Sequence, residues 1–504
     1  MVTILLSATL NPGVQVKLTQ KGLDYARQVG MEKLKQKLQT IQIPDFSGKS
    51  KVKYSLTNVR IVGMGIPNSA LTLAPGTGIS MSIRDAFINV RGNWRVRYKF
   101  IRTSGSFDLD VNGLSIGTTI SVTSGAGGRP VVSSVNCGAS IGSTRIKFHG
   151  RASWLYNIFR KLIEREKALI WCISVLLVLQ ICPRVSDTVS DLNPRLQTLN
   201  VLARVDKHAE IEYSMVSSPV VTQSSIALNL KGQFYNIGRH QEPPFSPQPF
   251  SMPTQQHMVY MGMSAFTANS AGFVYNRAGI LSVSITDDMI PSVSPIRLST
   301  SSFGVIIPEI SRRFPGLKMK LTMSAASDPM VIFKPNNMTI TAVATVTAFA
   351  IQADSTLSPL FVLKLDTSVS AAMSVTQMRL GGTLSLNKME MSVQSSNVGN
   401  FQVSVLNNFI PTVLRWVVIP IVNTELRKGY PLPELQNMQL MNTQLQIMQV
   451  RISLCSVNFY VCVCVCVCVC VLITVLIIRQ ERWCIRATVE RKKNYRARGE
   501  LVIL

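Results

Sequence analysis

Between Asn89 and Arg102 the chain reads NVRGNWRVRYKFIR, and cations recur on alternating positions at Arg91, Arg95, Arg97 and Lys99, with Arg102 just beyond. Successive side chains of a strand point to opposite faces, so these charges share one face while Trp94, Val96, Tyr98 and Phe100 share the other. Same-face neighbours lie about 6.6 Å apart. Their repulsion in water is only ~0.6 kcal/mol per pair, which a solvated face tolerates. The functional reading rests on the missing acids: none occurs between Arg91 and Lys99, and further lysines cluster at Lys33, Lys35 and Lys37 and at Lys49, Lys51 and Lys53. Such a surface suits an anionic partner, with lipid phosphates as one target. Nucleic acid is another, with Trp94 and Tyr98 as stacking rings, although alternation turns those rings inward.

Other constellations carry less. Gly138-Ala-Ser140-Ile-Gly142 fits the G-x-S-x-G pattern of a nucleophile elbow, but that device needs a helix after the serine, and Ser143 to His149 reads as strand. His149, His208, His240 and His257 show no metal-ligand spacing. Gly76-Thr-Gly78 and Gly125-Ala-Gly127 lack a nucleotide fingerprint and read as loops. No catalytic residue, metal or cofactor is expected. Asn337-Met-Thr339 is a glycosylation sequon, relevant to a secreted chain.

The elements that would position the cations are short alternating strands with a few amphipathic helices. Gly22 to Ile41 places Met31, Leu34, Leu38 and Ile41 at helical spacing and is expected to end before Pro44. Lys51 to Ile61 alternates as a half-buried strand. Ser106 to Val122 does so too, with a parity change at Asn112-Gly113 that marks a turn or a bulge. Trp154 to Ile163 reads as a second helix. Ile170 to Gln180 is apolar, without a helical stripe, and too short to span a bilayer. Glu242 to Pro253, EPPFSPQPFSMP, holds five prolines near the chain midpoint and reads as an extended, semi-rigid spacer between two halves of similar grammar. In the second half Leu281 to Ile285, Met319 to Met323 and Leu384 to Leu386 alternate. Leu406, Phe409, Ile410, Val413 and Val417 suggest a helix stopped by Pro420. Gly22-x-x-Tyr25-x-Arg27 and Gly272-x-x-Tyr275-x-Arg277 hint at duplication.

The 504 residues are 46% hydrophobic and 15% charged, which excludes a disordered chain and calls for more than one core. Of the net charge of +26, residues 1–200 hold +16, residues 201–450 hold +4 and residues 451–504 hold +6. The anionic partner is therefore expected to meet the first half. Seven of ten cysteines lie beyond residue 450. Among Cys137, Cys172 and Cys182, one pair can form a disulfide if the chain is secreted. The opening MVTILLSATL is apolar but short and lacks a basic start, so residues 1–10 fit a signal-peptide remnant.

Asn11-Pro-Gly-Val, Lys21-Gly-Leu-Asp-Tyr-Ala26, Ile43-Pro-Asp-Phe46, Ser104-Gly-Ser-Phe-Asp-Leu109, the proline segment, Asp287-Asp-Met-Ile-Pro291, Phe314-Pro315 and Lys428-Gly-Tyr-Pro-Leu-Pro433 occur in this order. Together they resemble the bactericidal permeability-increasing protein and lipopolysaccharide-binding protein family. The resemblance implies an α+β, boomerang-shaped molecule of two similar domains, each a twisted antiparallel β-barrel with long helices, joined by a central sheet. It implies a secreted, non-catalytic protein of host defence that holds one phospholipid per domain and meets lipid A of the bacterial outer membrane, with no specific nucleic-acid partner. The boundaries it suggests are 11–241 for the basic domain, 242–253 for the linker and 254–450 for the second domain. The basic tip maps to Arg91, Arg95, Arg97, Lys99 and Arg102, and less strictly to Lys33, Lys35, Lys37, Lys49, Lys51 and Lys53. The family disulfide maps to Cys137 and Cys182.

Two stretches depart from the pattern. Ile170 to Gln180 replaces the end of a helix, and it reads either as a stretch whose extra Cys172 offers a wrong disulfide partner or as intron-derived sequence. Beyond Gln449 the closing strand is expected to be missing. Residues 451–504 carry instead Val461-Cys462 repeated five times and a basic tail. Alternating GTG and TGT codons translate a GT repeat as Val-Cys, so this tail is read as intron-derived in preference to a membrane anchor spanning Val457 to Ile478. Alternative functions are a phospholipid or neutral-lipid transfer protein of the same fold and an anchored lipid receptor.

Overall fold

In this computed structural model the described residues run from 11 to 460, without 40–44, 50–52, 99, 151–180, 184, 200, 253–256, 293, 295, 377, 434–438, 442, 450 and 457. The helix expected at Trp154 to Ile163, the Ile170 to Gln180 run, residues 1–10 and the Val-Cys repeat lie outside them.

The fold is α+β, and every strand pairing among the described residues is antiparallel. In the first half Phe46–Lys49, Lys53–Gly65, Gly78–Tyr98, Ile101–Ser124 and Pro130–Ser140 follow one another across a sheet, joined by Asn68–Ala74 and Ser143–His149. The second half repeats the plan from Ser282–Ile285 through Lys318–Ala325, Asn337–Ile351, Leu357–Thr376 and Arg379–Ser396 to Tyr430–Pro431. Neither sheet closes among the described residues, which corrects the expected barrels: the two terminal strands of each path do not pair with each other. The Pro130–Ser140 edge is covered instead. Asn193 donates to the Val132 carbonyl and accepts from its N–H, and a Cys137–Cys182 disulfide with Cα atoms 5.6 Å apart ties the strand to the segment after residue 180. The pairing implied by the resemblance is thus formed.

A six-stranded sheet joins the halves in the order Val220–Val221, Ser225–Leu230, Val14–Thr19, Val259–Ser264, Arg451–Ser456, Gln444–Met448. Three strands come from each half, with Val14–Thr19 against Val259–Ser264 at the centre. The expectation of a missing closing strand is corrected here: Arg451–Ser456 pairs with Val259–Ser264 over six residues and occupies the place that Ser225–Leu230 holds in the other half. Alternation decides it, because Ile452 and Leu454 point into the core while Arg451 and Ser453 take the opposite face.

A helix follows each central strand, Gln20–Gln39 after one and Ala265–Arg277 after the other, and each carries the Gly-x-x-Tyr-x-Arg echo. Glycine is required at both. A Cβ on Gly22 would lie 2.7 Å from the Met258 carbonyl oxygen, and one on Gly272 2.7 Å from that of Pro329. Gly272→Ala is expected to lower stability by about 1–3 kcal/mol, because backbone must shift to admit a methyl group. Thermal melting checks this, and an unchanged midpoint would show that the helix can slide.

Two further expectations change. Pro420 does not stop the last helix, which runs from Val403 to Lys428. Proline removes one N–H and crowds the carbonyl four residues back. The chain absorbs this with a π turn at Leu414–Val418, where the Ile419 N–H reaches back to the Leu414 carbonyl. The proline segment, in turn, is a strap lying on the central sheet. Glu242 accepts from Tyr235 Oη (2.7 Å), Gln233 Nε2 (2.7 Å) and Lys231 Nζ (3.0 Å). Burial pushes the Glu242 carboxyl up, but those three bonds outweigh it and hold the group below the usual carboxylate range. Asn11 Nδ2 donates to the Pro247 carbonyl and Lys17 Nζ to that of Met252, while Phe250 and Met252 sit over Gly262. Prolines keep the segment out of the ladder, yet its carbonyls still accept and its apolar side chains still bury.

Asn112-Gly113 proves to be a bulge within the 24-residue Ile101–Ser124 strand, with Gly113 at φ +65°.

Candidate functional site

The register of the first-half sheet assembles the site. Tyr98 pairs with Ile101, so the chain reverses between these two residues rather than continuing to Arg102. This corrects the single-strand reading of Asn89 to Arg102. It moves Phe100 from the packed face to the apex, where it is 100% exposed. It also places Arg102 directly across from Arg97. On the other side Arg97 faces Lys53, which faces Lys49. Four strands therefore carry Lys49, Lys53, Arg97 and Arg102 in one transverse row. Arg95 follows one row inward, between Ser55 and Ser104.

Like charges directly opposite on a sheet are mildly destabilising, and Lys53, Arg97 and Arg102 face one another in this way. Lys53, Arg95, Arg97 and Arg102 are exposed, and no carboxylate is within ion-pair distance of them among the described residues. Arg91 differs. Its Nε donates to Asp108 Oδ1 at 2.7 Å, and His149 Nε2 lies 2.9 Å from Asp108 Oδ2. The hydrogen bond from Arg91, then that from His149, holds the Asp108 carboxyl below its usual range. Arg91 is thus already neutralised. Arg60 and Lys147 were missed in the sequence: the register sets Arg60 across from Arg91 and Lys147 across from Asp108, and neither adjoins the tip segment in the chain.

Trp94 is fixed below the row. Its Nε1 donates to the Ser106 carbonyl at 2.9 Å, and its ring meets Phe148 edge-on at 6.0 Å, so it is not a free stacking platform. Lys33, Lys35 and Lys37 lie on the Gln20–Gln39 helix, and Lys49 in a strand, but their side chains, like Lys51 and Lys99, fall outside the described residues. Asn337 is exposed and starts a strand after a two-residue turn in which Asn336 has φ +58°. It also borders an open pocket of about 400 Å³ whose wall mixes Ser370, Thr383 and Ser385 with Met373, Leu384 and Ile447. Ser140 ends one strand and Ser143 begins the next along the same edge of Ile101–Ser124, with no helix between. Among the described residues no group of three or more His, Cys, Asp and Glu is placed to hold a metal ion.

Two sheet-built halves thus share a central sheet, and one of them ends in a cationic hairpin with an apolar apex. Residues 22–193 match the N-terminal domain of the LBP / BPI / CETP family and residues 203–459 its C-terminal domain. The chain belongs to this family. It is 58% identical over 452 residues to the bactericidal permeability-increasing protein of Sebastes schlegelii, covering 88% of this chain and 94% of that one. To the human lipopolysaccharide-binding protein it is 34% identical, covering 87% and 91%. The crystal structure of a lipopolysaccharide-binding protein superposes with a TM-score of 0.59 at 32% identity, covering 90% of this chain and 99% of that one.

Proposed function

We propose that this protein binds bacterial lipopolysaccharide without catalysis, as a secreted antibacterial protein. The observation that carries the reading is the row Lys53, Arg97 and Arg102, three aligned cations without carboxylate partners among the described residues. Lipid A offers phosphates to such a row and acyl chains to Phe100 beyond it. Guanidinium groups suit the phosphates because their planar fork donates two hydrogen bonds at once. The names of the relatives support the same ligand, and the Cys137–Cys182 disulfide fits an oxidising, extracellular setting.

The test is binding of purified protein to lipopolysaccharide vesicles and to phosphatidylcholine vesicles at physiological salt. Strong preference for the former is expected, and equal binding overturns the reading. Phe100→Ser is expected to weaken lipopolysaccharide binding about tenfold, the equivalent of burying part of one aromatic ring. Titration against lipopolysaccharide vesicles checks this, and unchanged affinity would remove Phe100 from the site.

A further inference from the structure

We propose a second membrane contact, separate from the tip: the outer face of the Val403–Lys428 helix lies in the headgroup region of a bilayer rich in anionic phospholipid. By length and composition this helix could cross a membrane, yet only a third of its most apolar stretch is buried. Its inner stripe, through Phe409, Val413 and Val417, packs into the second-half core. An unbroken α-helix would continue that stripe, four residues at a time, to Ile421. The π turn at Leu414–Val418 inserts an extra residue and rotates the C-terminal part of the helix. Ile421 is left 42% exposed and Val422 37%, and Trp416, within the turn itself, is 68% exposed.

The helix does not leave the protein to span a bilayer. Asn423 brackets Leu384, accepting from its N–H and donating to its carbonyl, and Arg379 donates to the carbonyls of Lys428 and Gly429. Held this way, it stays on the protein surface with Trp416, Ile421 and Val422 exposed. The chemistry agrees: an indole beside aliphatic side chains prefers the boundary between headgroup and acyl chain. Arg415 adjoins Trp416, and Arg427 and Lys428 close the helix. The helix has one acid, Glu425, and Lys428 pairs with it at 2.6 Å, so with Arg415 and Arg427 the helix stays cationic. The occupant this fits is an anionic lipid surface.

The experiment uses the whole protein with phosphatidylcholine vesicles containing one third phosphatidylglycerol and no lipopolysaccharide. Trp416→Ser with Ile421→Ser, both at exposed positions, is expected to weaken vesicle binding about tenfold while lipopolysaccharide binding at the tip stays intact. In a parallel arm, lipids brominated in the upper acyl chain quench the fluorescence that wild type has and Trp416→Phe lacks. Vesicle binding unchanged in the double variant, or an unquenched difference spectrum, overturns the proposal, as does loss of vesicle binding only in a tip variant. Because the quenching arm needs only Trp416→Phe, the test holds even if the double variant folds poorly.

Discussion

Replacing Lys53, Arg97 and Arg102 together by alanine is expected to weaken lipopolysaccharide binding about a hundredfold at physiological salt. Hydrogen bonds to charged groups contribute about 1.5–3 kcal/mol each when shielded. On an exposed, salt-screened hairpin about 1 kcal/mol apiece is the better figure, and three of these give about two decades of affinity. Raising the salt should weaken wild-type binding more steeply than binding by the variant. The same variant should be slightly more stable than wild type, since Lys53 faces Arg97 and Arg97 faces Arg102 without a carboxylate between them. Arg91→Ala should cost only a few-fold, because Arg91 is already bound to Asp108. Vesicle titration and thermal melting of the two variants separate the outcomes. If Arg91→Ala is as damaging as the triple replacement, the transverse row is not the binding element.

The second large effect concerns the covered sheet edge. Replacing Cys137 and Cys182 by alanine opens a loop of 45 residues separation and is expected to cost about 4 kcal/mol in the chain-entropy picture. Cys137 lies in the Pro130–Ser140 strand, next to Gly138, which pairs with Gly117. The apex is at the other end of the Ile101–Ser124 strand, about 50 Å away along the chain. Thermal melting should therefore show a large loss, while lipopolysaccharide binding measured well below the new midpoint remains near wild type. A binding loss as large as the stability loss would mean that the edge and the apex act as one unit.

The α+β class, the two similar halves and the basic character of the first were legible in the amino-acid order, because they depend on alternation, composition and charge, which are local. Both Gly-x-x-Tyr-x-Arg motifs were legible too, and their glycines turn out to sit against carbonyl oxygens after equivalent strands. Whatever depends on register needed the folded chain. Alternation runs straight through Lys99-Phe100, so only the pairing of Tyr98 with Ile101 reveals the reversal that exposes Phe100. Lys53 and Arg97 are 44 positions apart in the chain, and Arg91 and Asp108 lie on different strands, so only strand pairing separates the open cations from the spent one. The prolines of Glu242 to Pro253 forbid ladder hydrogen bonds in any context. Whether such a segment spans open solvent or lies on a sheet is set by partners such as Lys17, Asn11 and Gly262, which are distant in the chain and adjacent only in the fold. Arg451–Ser456 is too short to announce itself as a closing strand, and it becomes one only because Val259–Ser264 leaves an edge for it to fill.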